Sequence, residues 1–220
     1  MAIVFQNTKY NLTIDSKMII GVMGDYESFF SSLKGDIYYL DKSVSVSSKK
    51  VCSILDIDNK DITDLLKDFS LGEEFLNKKI VELSHSEQKI LKYILMFLSN
   101  KRIIIIDEPF LDLDLCNKKK VILLLKRIVK DNKTIIIGSS NSNVIYQICK
   151  KVLLINNEGY YYGDINVFKD KNILKKYHVN VPDIVKFIDL VNEKNIKINY
   201  SRDIRDLIKD VYRNVSKKKN

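Results

Sequence analysis

Glycine is scarce in this 220-residue chain, with 7 residues where an average composition of about 7% would give roughly 15. Alanine occurs once, at Ala2, and tryptophan not at all. The deficit falls hardest on folds built around glycine-rich phosphate loops, where the backbone must approach a ligand with no side chain in the way. Cysteine is also sparse. Cys52, Cys116 and Cys149 are odd in number, far apart and without metal-ligand spacing, which suits a reducing cytosol. No charged-then-apolar signal opens the chain. No uncharged apolar run approaches the ~18 residues of a membrane span, and the densest stretch, Ile90 to Leu98, is broken by Lys92. A soluble protein is expected, one that can still dock on a membrane-embedded partner.

At 45% hydrophobic and 30% charged residues, the chain has material for a core, which excludes intrinsic disorder. Lysine appears 32 times against 5 arginines and the formal net charge is +9. Such a charge raises nucleic acid or an anionic membrane surface as partners. The basic residues are dispersed, however, in Lys118 to Lys120, Lys150–Lys151, Lys175–Lys176 and the tail Lys217 to Lys219. Solvated surface lysine is the reading favoured here, and no nucleic-acid partner is expected. The excess of Lys, Asn and Ile also fits an AT-rich genome.

Ile3 to Ile14 reads as a strand or hairpin, and Met18 to Val22 as a buried strand running into Gly21-Val-Met-Gly24. A helix over Glu27 to Leu33 and a strand over Asp36 to Leu40 follow. Val51, Ile54 and Leu55, then Ile62, Leu65 and Leu66, recur at helical spacing. A longer apolar helix runs from Ser84 to Leu98. Arg102 to Ile106 places four isoleucines behind a basic residue, as in a central parallel strand. Lys120 to Val129 reads as a helix, Thr134 to Ile137 as a strand and Asn143 to Cys149 as a helix. A hairpin turns at Asn156 to Gly159. Pro182 opens an amphipathic helix, and Ser201 is a plausible N-cap for another. Strands alternating with helices argue for an α/β core with a mainly parallel sheet.

The strongest chemical signal is Ile103 to Asp107-Glu108-Pro109. An Asp ending a buried strand can hold Mg²⁺, and the adjacent Glu can position water. Eighteen residues before Arg102 lies Ser84, in Leu83-Ser-His-Ser-Glu-Gln88. After it come Phe110-Leu-Asp112-Leu-Asp114 and, 20 residues past Asp114, Thr134 to Asn141. This order resembles the ATP-binding-cassette (ABC) transporter ATPases. Leu83 to Gln88 is similar to their LSGGQ/LSGGE signature, Ile103 to Pro109 to Walker B with its catalytic Glu, and Asp114 to the D-loop Asp. Thr134 to Asn141 resembles the switch-histidine strand, and Val152 to Gly163 the hairpin that follows it. The tail, His178-Val-Asn-Val-Pro182 and two helices, is similar to the C-terminal domain of energy-coupling-factor (ECF) ATPases.

The resemblance implies a P-loop NTPase-like cassette over residues 1–168, with a small helical subdomain at about 44–99. A helical domain, which the resemblance makes a dimerisation domain, then spans 169–220. It makes Glu108 the catalytic residue, Ser28 and Asp107 the Mg²⁺ ligands, and Gly21, Gly24, Ser28, Ser84, Asp114 and Ser140 nucleotide contacts. Gly21 to Ser28 aligns with the phosphate loop GxxGxGK[ST], yet Tyr26 stands for its third glycine and Glu27 for its lysine. A bulky side chain disfavours the backbone such a loop needs, and a carboxylate repels phosphate where an ammonium would bind it. Ser140 replaces the switch histidine, Asp41 or Lys42 the Q-loop glutamine, and His85-Ser86 the signature glycines.

These departures imply a degenerate, non-hydrolysing half of a heterodimer, its own ATP site inactive. ATP and Mg²⁺ would sit at the dimer interface, mainly through an intact partner ATPase that uses Ser84 and Asp114 from this chain. A transmembrane coupling subunit for ECF-like solute import completes the expected assembly, at the cytoplasmic face of the cell membrane. Two rivals stand: an active ABC ATPase with an altered phosphate loop, and a basic nucleic-acid-associated protein on the cassette fold.

Overall fold

The computed structural model describes residues 3–6, 11–43, 47–55, 59–194, 198–199, 201–202 and 204–217. In chain order the strands are β1 (Ile3–Gln6), β2 (Asn11–Ile14), β3 (Ile19–Gly24), β4 (Ile37–Leu40), β5 (Ile103–Asp107), β6 (Thr134–Gly138), β7 (Lys151–Asn156) and β8 (Gly159–Asp164). The helices are α1 (Tyr26–Ser32), α2 (Lys60–Asp68), α3 (Glu73–Asn77), α4 (His85–Leu98), α5 (Leu115–Lys130), α6 (Ser142–Ile148), α7 (Lys171–Lys176), α8 (Asp183–Glu193) and α9 (Ile204–Lys217). The α/β class with mainly parallel strands, expected from the alternation of patterns, is what these elements form. Two compact units result: Met1–Met18 with Ser32–Ile137, and Ile19–Ser31 with Gly138–Asn220.

In the first unit β1 and β2 form an antiparallel hairpin, and β4, β5 and β6 lie side by side in that order. The isoleucine run makes β5 a strand buried on both faces, with Ile104, Ile105 and Ile106 inaccessible. Its parallel register with β4 pairs Leu40 with Ile106. The chain leaving β4 at Asp41 and Lys42 therefore runs on beside Asp107 and Glu108.

Helix α4 buries Ile90, Leu91, Tyr93, Ile94 and Met96, and α5 buries Val121, Leu124, Leu125 and Ile128. Two expectations shift here. The apolar residues at Val51 to Leu55 form only a 3-10 turn, Val51–Ser53. Their neighbours pair instead with the 78–81 segment: Val51 donates to the Lys78 carbonyl, and Ile80 and Val81 donate to those of Lys49 and Ser47. Helix α5 begins at Leu115 rather than near Lys120, because Asp114 caps it by accepting from the Asn117 amide at 2.7 Å.

The second unit carries β3, β7 and β8 in that order, β3 parallel to β7 and β7 antiparallel to β8. Val152 to Ile155 are fully buried. Asn156 turns the hairpin by accepting from the amides of Glu158 and Gly159 at 3.0 and 3.1 Å. Asp170 caps the short α7, an element without a clear sequence pattern. Beyond it, α8 and α9 share a small core of Ile188, Ile198 and Leu207, flanked by Ile184, Val191 and Val211. Helix α9 starts at Ile204, three residues past Ser201, and Lys218 and Lys219 of the basic tail lie outside the described residues. Among those described, no helix is long and apolar enough to cross a membrane.

Strand β3 is longer than its sequence pattern. It continues through Gly21, opposite Val152, to Gly24, opposite Ile155. At Gly24 φ is +88°, and a Cβ there would lie 1.9 Å from the Ile155 carbonyl oxygen. That neighbour is backbone and cannot rotate away. Gly24→Ala is therefore expected to destabilise the fold by about 2–4 kcal/mol, the sum of backbone strain and overpacking. A lowered urea midpoint with an unchanged slope is the result that checks it.

Candidate functional site

The segment aligned with a phosphate loop is not shaped as one. Gly21 and Gly24 sit inside β3, and α1 begins at Tyr26, so Asp25 alone separates strand from helix. The Asp25 amide is spent on the Ile155 carbonyl at 3.2 Å. Gly21 is packed by the next layer, since a Cβ there would meet Ile145 Cγ2 at 2.3 Å. These glycines serve close backbone and helix contact.

Tyr26, at the place of the third loop glycine, is buried. Its ring lies 5.5 Å from that of Phe30. Both rings press on Gly138, where a Cβ would come within 2.4 Å of Tyr26 and 2.6 Å of Phe30. Glu27, in the place of the lysine, is exposed in the first turn of α1, where a carboxylate suits the helix dipole. Ser28 is exposed on the same helix. Along this strand-to-helix passage the Asp25 amide is committed to the Ile155 carbonyl, and the position of the third loop glycine carries a buried aromatic ring. Ser139 is buried, its amide donating to the Val22 carbonyl and its Oγ accepting from Asn141. Ser140, at the switch position, is exposed.

In the first unit the acidic end of β5 is built from α4 and from the chain leaving β4. Asp107 is 4% exposed, and its Oδ2 lies 3.8 Å from Lys42 Nζ. Glu108 follows in a left-handed conformation, φ 43°, which is uncommon for a residue with a side chain. Two α4 side chains hold this turn: buried Lys89 donates to the Glu108 carbonyl at 3.1 Å, and Tyr93 to the Pro109 carbonyl at 2.6 Å. Burial, with Lys92 adding repulsion, pulls the Lys89 ammonium below its usual pKa. Lys92 binds Asp41 Oδ1 and the Ser43 carbonyl, each at 2.6 Å. Partial burial raises the Asp41 carboxyl, but these bonds outweigh it and leave the pKa lowered.

The acidic end thus unites Asp107 and Glu108 with three lysines. Lys89 and Tyr93 were the missed members. Their signal was a lysine in a buried helical stripe, at positions 89, 93 and 96.

Ser84 and Glu87, the retained signature residues, form a reciprocal helix cap. The Ser84 amide donates to Glu87 Oε2 at 2.8 Å, and the Glu87 amide donates to Ser84 Oγ at 3.2 Å. Lys78 Nζ holds the other carboxylate oxygen at 2.8 Å. Gln88 is buried and donates to the carbonyls of Ile80 and Leu83. His85 is exposed at the helix start, and Asp114 is likewise an exposed N-cap.

No protein-family profile matches the chain. It is similar to an energy-coupling factor transporter ATP-binding protein of Oenococcus oeni, at 22% identity over 83% of this chain and 62% of that protein. A Staphylococcus aureus protein of the same description is 29% identical over 56% of this chain and 44% of its own length. The chain therefore spans from under half to under two thirds of these curated relatives. Among solved structures, cbiO1 of Clostridium perfringens, described as part of the ABC transporter complex cbiONQ, superposes with a TM-score of 0.56. The match is 17% identical over 82% of this chain and 90% of that one. The fold is that of ABC cassette domains, and the sequence relatives are ABC and ECF-type ATP-binding proteins.

The Ser84–Glu87 cap makes stability depend on pH. Burial raises the Glu87 pKa, but bonds from Lys78 and Ser84 outweigh it and hold it below its unfolded value. A depressed carboxylate contributes stability above the unfolded pKa and loses it as pH falls through the folded one. Ser84→Ala should cost about 1 kcal/mol at neutral pH. Glu87→Gln should be destabilised at neutral pH, and its gap from the natural chain should close in acid. Urea midpoints measured across the carboxylate range test both.

Proposed function

We propose that this chain is the ATP-binding-cassette subunit of an ECF-like solute importer, and a non-hydrolysing one. It would pair with an intact ATPase and pass that partner's ATP-driven movement to a transmembrane subunit, at the cytoplasmic face of the membrane. The observation that carries this reading is the passage from β3 to α1. The strand is hydrogen-bonded through Gly24, Asp25 gives its amide to Ile155, and the aromatic ring of Tyr26 is packed on Phe30. A phosphate site needs free N–H groups and a bare backbone. Here the amide is used and the side chain is large.

The sequence relatives support the ECF part of the reading, since proteins so described match most of the chain or over half of it. ATP and Mg²⁺ then belong mainly to the partner's motifs. This chain contributes Ser84 and Asp114, both exposed at helix starts. Glu108 is the catalytic residue by position, but no γ-phosphate is delivered to it from this chain's own loop. Residues 169–220 serve as the helical domain that joins the assembly. The rival of an active ATPase with an altered loop is disfavoured by the committed Asp25 amide and the buried Tyr26 ring.

Two measurements test the proposal. The purified full chain should show no saturable MgATP binding and no turnover, and Glu108→Gln should leave that baseline unchanged. Purified from its source, the chain should bring with it an ATPase subunit bearing a complete phosphate loop and a membrane-embedded subunit. Tight MgATP binding with Glu108-dependent hydrolysis by the chain alone would overturn the non-hydrolysing role.

A further inference from the structure

We propose that the acidic end of β5 carries its own cation: Lys42 holds the Asp107 carboxylate in the position a divalent metal would need, so this chain excludes Mg²⁺ there. The inference rests on the geometry of the first unit alone and does not depend on the transporter reading. Lys42 Nζ lies 3.8 Å from Asp107 Oδ2. The parallel pairing of β4 with β5, Leu40 opposite Ile106, brings the chain that leaves β4 to the end of β5, from where the Lys42 side chain reaches Asp107.

The surroundings agree. Asp107 is buried, and a buried carboxylate without a cation is costly. On its other side, Lys89 is buried with its ammonium directed at the carbonyls of Asp107 and Glu108, at 3.5 and 3.1 Å. A hard divalent ion seeks several oxygen ligands. The neighbouring carboxylate, Asp41, is engaged by Lys92 and Ser43. Among the described residues no group of three His, Cys, Asp or Glu side chains is arranged to hold a metal. A divalent ion at Asp107 would face the Lys42 ammonium, 3.8 Å from the carboxylate, and the Lys89 ammonium at the Asp107 carbonyl. Because Lys42 is half exposed, with 50% of its side chain accessible, it can be replaced without opening the core.

Mn²⁺ is the probe, read as paramagnetic broadening of the Ile106, Asp107 and Glu108 amide signals in the isotope-labelled full chain. The natural chain and Lys42→Arg should show no broadening confined to these residues. Lys42→Gln, its spectrum otherwise preserved, should show it, with a gain in Mn²⁺ affinity of about tenfold or more from removing one positive charge at this distance. Adding Asp107→Asn to Lys42→Gln should abolish the gain. Selective broadening in the natural chain, or a Lys42→Gln variant that binds Mn²⁺ no better, would overturn the assignment.

Discussion

The contact between Gly24 and the Ile155 carbonyl constrains the second unit more than any other. No residue with a Cβ fits there, and the φ of +88° suits only glycine without strain. Because the pairing with β7 persists to this point, the chain has a single residue, Asp25, in which to turn into α1. Tyr26 is then delivered inward rather than outward, and with Phe30 it fills the space over Gly138. A loop long enough to wrap a phosphate and a strand paired this far are alternatives for one stretch of chain. Here the strand's pairing reaches Gly24, and Tyr26 is buried at the start of α1.

That competition explains why the site was less legible than the fold. The isoleucine runs at 103–106 and 135–137, the Asn156 turn and the buried stripe of α4 all announce themselves, because burial and turn chemistry act locally. The spacing of Gly21 and Gly24 matched a phosphate loop, and nothing within the segment reveals that it pairs with residues 151–155. Strand partners more than a hundred residues away decide the matter. At Val51 to Leu55 the expected helix is likewise overridden by distant partners. Their apolar spacing is helical, but the backbone hydrogen bonds go to the 78–81 segment instead. Lys118 to Lys120 obscured the start of α5, since Asp114 caps the helix regardless of the charges on its solvent face.

Lysine shows the limit of composition as a guide. Most of the 32 lysines behave as a dispersed solvated surface, which is how their scatter reads. Lys89 and Lys92 do not. Both project from α4, one buried against the carbonyls of Asp107 and Glu108, the other tying Asp41 and Ser43. The helix that begins with the signature-like cap thus also fixes the turn after β5, including the left-handed Glu108. A lysine inside an apolar stripe is the trace such a role leaves in sequence. It stands out only once the stripe is known to face a strand end rich in carbonyl oxygens.

The two units differ from the resembled motifs by different physical means. In the second unit the departure is steric: amides are consumed, a ring fills the space, and glycine is retained where backbone and helix press together. In the first it is electrostatic: Asp107 and Asp41 have lysine partners, Lys42 and Lys92. A buried carboxylate without a counterion is unstable, and Lys42 Nζ stands 3.8 Å from Asp107 Oδ2. Asp107 and the backbone carbonyl of Glu108 thus belong to a lysine-rich network that holds the end of β5, and the acidic pair is not by itself a sign of hydrolysis.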